Sequence, residues 1–353
     1  MSDQMITKAA FAALVDALIA DGPVYGVTLR DTHDGREVFA YSRLAAADEL
    51  RLDYDVTILP PKVFFQPPRE DLLRYTTAPE TRVEPLLSDE RFVVVGVHPY
   101  DLVAINQLDR LFSDKLPDDH YLRRRANATI IATNIRKAGP RAFANQMGTT
   151  RVDQGFDLFL TDVGDAFVAT VGTEKGAALL KRASGVENAT PAALERRDAA
   201  LDAVDDLYGK NILECDRDAL PELLRADGAF DHPVWEEKSR TCYACGSCNT
   251  VCPTCVCFDV QEDPALDRRS GLRRRSWDGC LLTDFAKVAT GENFRQKRVE
   301  RFQHRFGRKF LYLYDRYGLI YCVGCGRCVT QCLPDIANPV AVFNALHRGK
   351  ETP

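Results

Sequence analysis

The 353-residue sequence predicts an α+β protein in two parts: a mixed α/β domain over residues 1–230, then a smaller cysteine-rich domain over residues 231–353. Three observations predict it. Before residue 230, short β-branched runs alternate with stretches of helical periodicity. Eleven of the twelve cysteines lie beyond residue 240, the exception being Cys215. Between the two parts the chain is punctuated by Leu220-Pro221 and by Ala226-Asp-Gly-Ala-Phe-Asp-His-Pro233.

The elements of the first part follow in order. Phe92-Val-Val-Val-Gly-Val97 is a short, continuous apolar run, as a buried strand requires. Leu102–Phe112 repeats its apolar residues at helical spacing, and Pro99 suits the start of that helix, where its missing N–H has no intrahelical partner. Ala128–Thr133 reads as a second buried strand. Phe156–Thr161 and Ala166–Val171 flank Val163-Gly-Asp165 and read as a hairpin. A charged stretch from about Pro191 to Leu207 reads as a solvated helical connector. Val234–Arg240 is a short helix that delivers the chain to Cys242.

Two four-cysteine runs dominate the second part. Cys242, Cys245, Cys248 and Cys252 share the spacing C-x2-C-x2-C-x3-C with Cys322, Cys325, Cys328 and Cys332. Bacterial-type ferredoxins hold [4Fe-4S] clusters with that spacing, three thiolates of a run meeting one cubane and the fourth ligating the other. On that logic Cys242, Cys245, Cys248 and Cys332 hold one cluster, and Cys322, Cys325, Cys328 and Cys252 the other. Zinc sites use cysteine pairs across a longer spacer, which is a different pattern. Disulfide frameworks belong to short secreted chains, and the opening Met1-Ser-Asp-Gln-Met-Ile-Thr-Lys8 has no secretory-leader pattern. Residues 231–353 therefore read as an expanded bacterial-type two-[4Fe-4S] ferredoxin-like domain that requires both clusters to fold. Cys255, Cys257 and Cys280 read as small buried residues lining the cluster environment, the alternative being ligands of an additional centre.

A long basic insert, about 258–316, separates the runs. It carries Arg268, Arg269, Arg273, Arg274 and Arg275, then a basic stretch from Arg295 to Lys309 interleaved with Phe294, Phe302, Phe306 and Phe310. The spacing predicts an amphipathic helix with its Phe stripe on the core and its arginines in solvent. An electropositive docking face is the alternative. The net charge of -5 argues against nucleic-acid binding. No run of about 18 apolar residues is present to span a membrane, and the expected compartment is the cytoplasm.

Nothing else in the sequence carries redox or catalytic chemistry. No G-x-G-x-x-G follows a predicted strand, there is no P-loop, no H-E-x-x-H and no G-x-S-x-G, and the six histidines form no ligand-like pair. The chain therefore reads as an electron relay with no catalytic residues of its own. A cluster-based redox sensor is the alternative from another class, without a helix-turn-helix-like segment to support it.

Several segments carry a family resemblance: Cys252-Pro-Thr-Cys-Val-Cys-Phe-Asp259, Ser276-Trp-Asp-Gly-Cys280, Asn293-Phe-Arg295, Arg305-Phe306 and Tyr317-Gly318 leading into Cys322-Val-Gly-Cys-Gly-Arg-Cys328. With Leu59-Pro-Pro-Lys62, Phe64-Phe65, Gly96-Val-His-Pro-Tyr-Asp-Leu102 and Met147-Gly-Thr149, the chain is similar to the dicluster β subunits of soluble bidirectional [NiFe] hydrogenases (sulfhydrogenases) and to the related A subunit of anaerobic sulfite reductase. The resemblance implies an electron-transfer subunit of a cytosolic complex with the eight cysteines above as ligands. It places FAD and NAD(P) on a partner flavin subunit. It places the catalytic nickel–iron or other reductase centre on a further subunit, an anaerobic sulfite or sulfur reductase being the alternative complex. Relatives often carry Cys where this chain has Tyr100, and a Cys-Phe-Cys-type segment where it has the sulfur-free residues 135–146. Any N-terminal metal centre built on those cysteines is expected to be absent here.

Overall fold

A computed structural model describes residues 3–351; Met1 and Ser2, part of the opening read above for a leader, lie outside the described residues. The first part supplies β1 (Gln4–Thr7), α1 (Lys8–Asp21), β2 (Val24–His33), β3 (Arg36–Arg43), β4 (Arg69–Thr76), β5 (Arg82–Pro85) and β6 (Phe92–Val97). There follow α2 (Pro99–Phe112), α3 (Asp119–Asn127), β7 (Ala128–Thr133), β8 (Leu158–Asp162), β9 (Ala166–Val171), α4 (Glu174–Arg182), β10 (Glu187–Asn188) and α5 (Pro191–Asp202). Eight of these strands form one sheet in the order β10-β1-β9-β8-β7-β6-β2-β3. Its centre, β2-β6-β7-β8, is parallel, and antiparallel pairings complete both edges.

The apolar runs of β6 and β7 are continuous because both faces of the sheet are covered. Val95 and Ile131 face Phe11, Leu14, Val15 and Leu18 of α1. Val94, Ile130 and Ala132 face the opposite layer, where Leu102, Ile105, Leu108 and Phe112 of α2 pack with Tyr121 of α3. Thr7 starts α1 by accepting a hydrogen bond from the Ala10 N–H (3.1 Å). Pro99 is the first residue of α2, and the hairpin at Val163-Gly-Asp165 joins β8 to β9.

The second sheet departs from the sequence reading. β11 (Phe258–Pro264) and β12 (Ser270–Trp277), both from the insert, pair antiparallel and join β4 and β5 in the order β11-β12-β4-β5. One sheet thus draws strands from both sides of the boundary set at residue 230. The arginines of β12 are internal ion-pair partners. Arg275 is buried and binds Glu70 (2.5 Å) and Asp118, Arg274 binds Asp71 (2.6 Å) and Asp263 (2.9 Å), and Arg273 binds Glu262 (2.5 Å). Each of these three arginines has an acidic partner within the chain, which offsets the positive charge of β12.

The C-terminal half adds α6 (Leu220–Arg225), α7 (Val234–Arg240), α8 (Ser247–Thr250) and α9 (Arg298–Gly307). α9 continues through a π-helical turn at Arg308–Tyr312 into α10 (Leu313–Tyr317), followed by α11 (Arg327–Thr330) and α12 (Pro339–Glu351). The predicted Phe stripe is real. Phe302, Phe306 and Phe310 are buried against Trp235 and Phe343, with centroid distances of 5.3 Å for Phe306–Trp235 and 4.6 Å for Phe310–Phe343. Each such ring contributes about 1.5–3 kcal/mol on burial. Phe294 stays exposed. Arg301, Arg305 and Lys309, expected in solvent, are buried as well.

Candidate metal centres

Each cysteine run folds as a loop closed by one helical turn. Gly246 and Gly326 sit before α8 and α11 with φ of 74° and 77°, the left-handed region that glycine enters without strain. α8 and α11 pack against each other, which carries the fourth cysteine of each run towards the partner run. At Gly326 a Cβ would stand 2.7 Å from the backbone of Arg141 and Ala142. Residues 139–149 can therefore lie flat on the second run, where the Phe143 N–H donates to Gly324 O (2.8 Å) and Thr149 Oγ1 donates to Val323 O (2.7 Å). This segment overlaps the sulfur-free stretch 135–146. Here Tyr100, Ile135, Ala144 and Val323 form an apolar cluster beside Cys325.

One cavity is lined by Cys252, Cys322, Cys325 and Cys328, together with Phe143, Thr254, Arg305 and Lys309. These are the four sulfurs of one predicted ligand set, with Cys252 supplied by the other run. The second set is more open. Cys248 lies within electrostatic reach of Cys242 and Cys332, and also of Cys328 from the other set, and Cys245 is at the exposed rim, its S–H on Ser247 Oγ (3.3 Å). The sets are called inner and outer below. Among the described residues no three His, Cys, Asp or Glu side chains converge as a single metal ion requires. A cubane is bound at separate irons, so its ligands need not share one point.

Burial pushes the thiols of Cys248, Cys322 and Cys325 up to about 12. Without metal these sulfurs are neutral, and metal binding must expel their protons. Cys252 differs. Burial works against its ionisation, but Lys309 more than compensates and brings the thiol below the usual range. The Lys309 Nζ donates to Cys252 Sγ at 3.0 Å and to Thr254 Oγ1 at 2.9 Å. Lys62, also buried, donates to Cys255 O (2.8 Å) and lies 4.1 Å from the centre of the Trp277 ring.

Arg305 tests whether the residues fit iron–sulfur clusters. It is 2% exposed, its Nε and Nη1 have no hydrogen-bond partner, and its charge is felt by Cys248, Cys328, Cys252 and Cys280. A buried guanidinium without acceptors is costly. Cluster sulfides and ligand thiolates, carrying negative charge at that place, supply both acceptors and counter-charge. The residues fit two clusters, which when bound supply one-electron chemistry.

Cys255, Cys257 and Cys280 gather beside the inner set. Asn249 Nδ2 reaches Cys280 Sγ at 3.3 Å and Cys255 Sγ at 3.9 Å, and Cys257 lies within electrostatic reach of both thiols. Cys215 is half-buried and packs on the same helical core as Cys242, Cys248, Cys322 and Cys332.

The second cysteine run is anchored to the first part by Arg327. It is 1% exposed and makes a two-pronged ion pair with Asp101, both contacts 2.6 Å, with further hydrogen bonds to Thr57 O and Oγ1 at 2.9 Å. Burial pushes the Asp101 carboxyl up and the guanidinium pulls against it. Sequence reasoning assigned no role to Lys62, Asn249, Arg305, Lys309 or Arg327. A signal was available for three of them: Lys62, Arg305 and Arg327 lie within the motifs that carry the resemblance.

Residues 241–336 match the family model of the 4Fe-4S dicluster domain. Fold, sulfur sets and match together define an iron–sulfur protein of the dicluster class. Over 329 residues the chain is 32% identical to sulfhydrogenase 2 subunit beta of Pyrococcus furiosus, covering 93% of each chain. The chain belongs to the family of sulfhydrogenase β subunits. No solved structure matches it. Among the described residues, no helix is long and apolar enough to cross a membrane.

Proposed function

We propose that the chain relays single electrons through two [4Fe-4S] clusters inside a cytoplasmic oxidoreductase complex. Cys242, Cys245, Cys248 and Cys332 hold the outer cluster, and Cys252, Cys322, Cys325 and Cys328 the inner one. A flavin subunit with FAD, acting on NAD(P)H, stands at one end of the relay, and a catalytic nickel–iron or other reductase subunit at the other.

The observation that carries this reading is Arg305, which lines the inner cavity and whose single buried guanidinium is within electrostatic reach of thiols of both sulfur sets. Two centres close enough to share one buried cation are close enough to exchange electrons. Cys252 and Cys325 of the inner set are buried and Cys322 and Cys328 partly so, whereas the outer set is open at Cys245, beside Tyr243, which is 69% exposed. The outer set is therefore where a partner's redox group comes within reach. The likeness to a sulfhydrogenase subunit supports a partner that handles hydrogen or sulfur.

Purified anaerobically from its host, the chain is expected to bring a flavoprotein with it. In that complex NAD(P)H should bleach the iron–sulfur absorbance, and removal of the flavoprotein should abolish the bleaching. Direct reduction of the isolated chain by NAD(P)H would overturn the assignment of the nicotinamide site to a partner.

A further inference from the structure

The two sulfur sets differ in their cations. Arg305 serves both, but Lys309 touches only one. Its ammonium, 7% exposed, stands at hydrogen-bond distance from Cys252 Sγ and is fixed by Thr254 Oγ1, which itself donates to Tyr321 O (2.5 Å) next to Cys322. The π-helical turn that contains Lys309 ties it to the same segment, because the Lys309 carbonyl accepts from the Tyr321 N–H (2.8 Å). Such turns recur at functional sites. Lys62 adds a second buried ammonium within reach of Cys252 and Cys255. Around Cys242, Cys245, Cys248 and Cys332, no lysine or arginine stands at hydrogen-bond distance from a sulfur among the described residues.

A reduced cluster carries one more negative charge than an oxidised one. A fixed cation beside it, and a hydrogen bond to a ligand sulfur, both favour the reduced form. In a dry site that preference is screened far less than in water. We propose that Lys309 is a positioning residue that sets the reduction potential of the inner centre alone: acting through Cys252, it raises that potential, so that an electron entering at the exposed Cys245 end comes to rest on the inner side. This rests on the ligand assignment above and adds to it an asymmetry that the symmetrical cysteine spacing does not contain.

The test is a potentiometric EPR titration of the full chain, prepared anaerobically as wild type, Lys309→Met and Lys309→Arg. The inner signal is identified as the one retained in Cys332→Ala. At a fixed potential, Lys309→Met should lower the reduced-to-oxidised ratio of the inner centre at least tenfold, equivalent to 59 mV for one electron. The outer centre should not move, and Lys309→Arg should restore most of the inner ratio. Equal shifts at both centres, or none at either, would overturn the proposal. If Lys309→Met loses the inner cluster, Lys309→Gln is read in the same way, and loss in both with retention in Lys309→Arg overturns it in favour of an assembly role. A wild-type chain without two clusters sinks the ligand assignment itself, whereas two intact clusters with unmoved potentials sink only this proposal.

Discussion

Cys332→Ala should abolish the outer cluster while leaving intact the cluster bound by the other three cysteines of its own run. The opposite exchange, Cys252→Ala, should remove the inner cluster although Cys252 stands in the first run. Each variant is expected to keep about four of about eight irons. The prediction follows from the packing of α8 on α11 and from the cavity in which Cys252 meets Cys322, Cys325 and Cys328. If each run instead held its own cluster, Cys332→Ala would delete the inner signal and spare the outer one. EPR of the two variants distinguishes these outcomes directly.

The second large effect concerns stability. Arg327→Met should leave the Asp101 carboxylate buried, at 0% exposure, with no cation beside it. Breaking a buried pair in this way costs about 3–5 kcal/mol. The loss should appear as reduced resistance of the cluster-loaded protein to urea. The double variant Arg327→Met/Asp101→Leu removes the stranded charge and should recover much of the loss. Arg327 also holds Thr57 on the opposite side of the interface, so full recovery is not expected. A single variant within about 1 kcal/mol of wild type, the size of an exposed pair, would show that this pair does not fasten the cluster loop to the first part.

Much of the site was legible in the sequence, and the reason is local. Strands β6 and β7, helix α2 and the β8–β9 hairpin are defined by short-range patterns and stand where those patterns place them. The cysteine spacing is likewise local, and the structure brings the sulfurs of the inner set round one cavity. What was not legible depends on partners far away in the chain. β12 pairs with β4 across roughly 200 residues, and its arginines look solvent-bound until Glu70 and Asp71 arrive beside them.

Lys309 and Arg305 escaped for a related reason. A helical wheel sends charge outward, and only the thiols waiting on the inward side make burial of these two residues favourable. Arg301, Arg305 and Lys309 recur every four residues directly beside Phe302, Phe306 and Phe310. That doubled stripe, wider than one row of rings needs, was the available sign. Tyr100, with Ile135 and Ala144 of the sulfur-free loop at 135–146, packs in one apolar cluster with Cys325.

The central claim, that the chain holds two four-iron clusters through eight cysteines, is tested most directly by iron and acid-labile sulfide analysis of the anaerobically purified full chain, taken together with EPR of the dithionite-reduced form. The account predicts about eight irons and about eight sulfides per chain, with two interacting reduced-cluster signals. Zinc in place of iron, or about four irons with a single isolated signal, would contradict it.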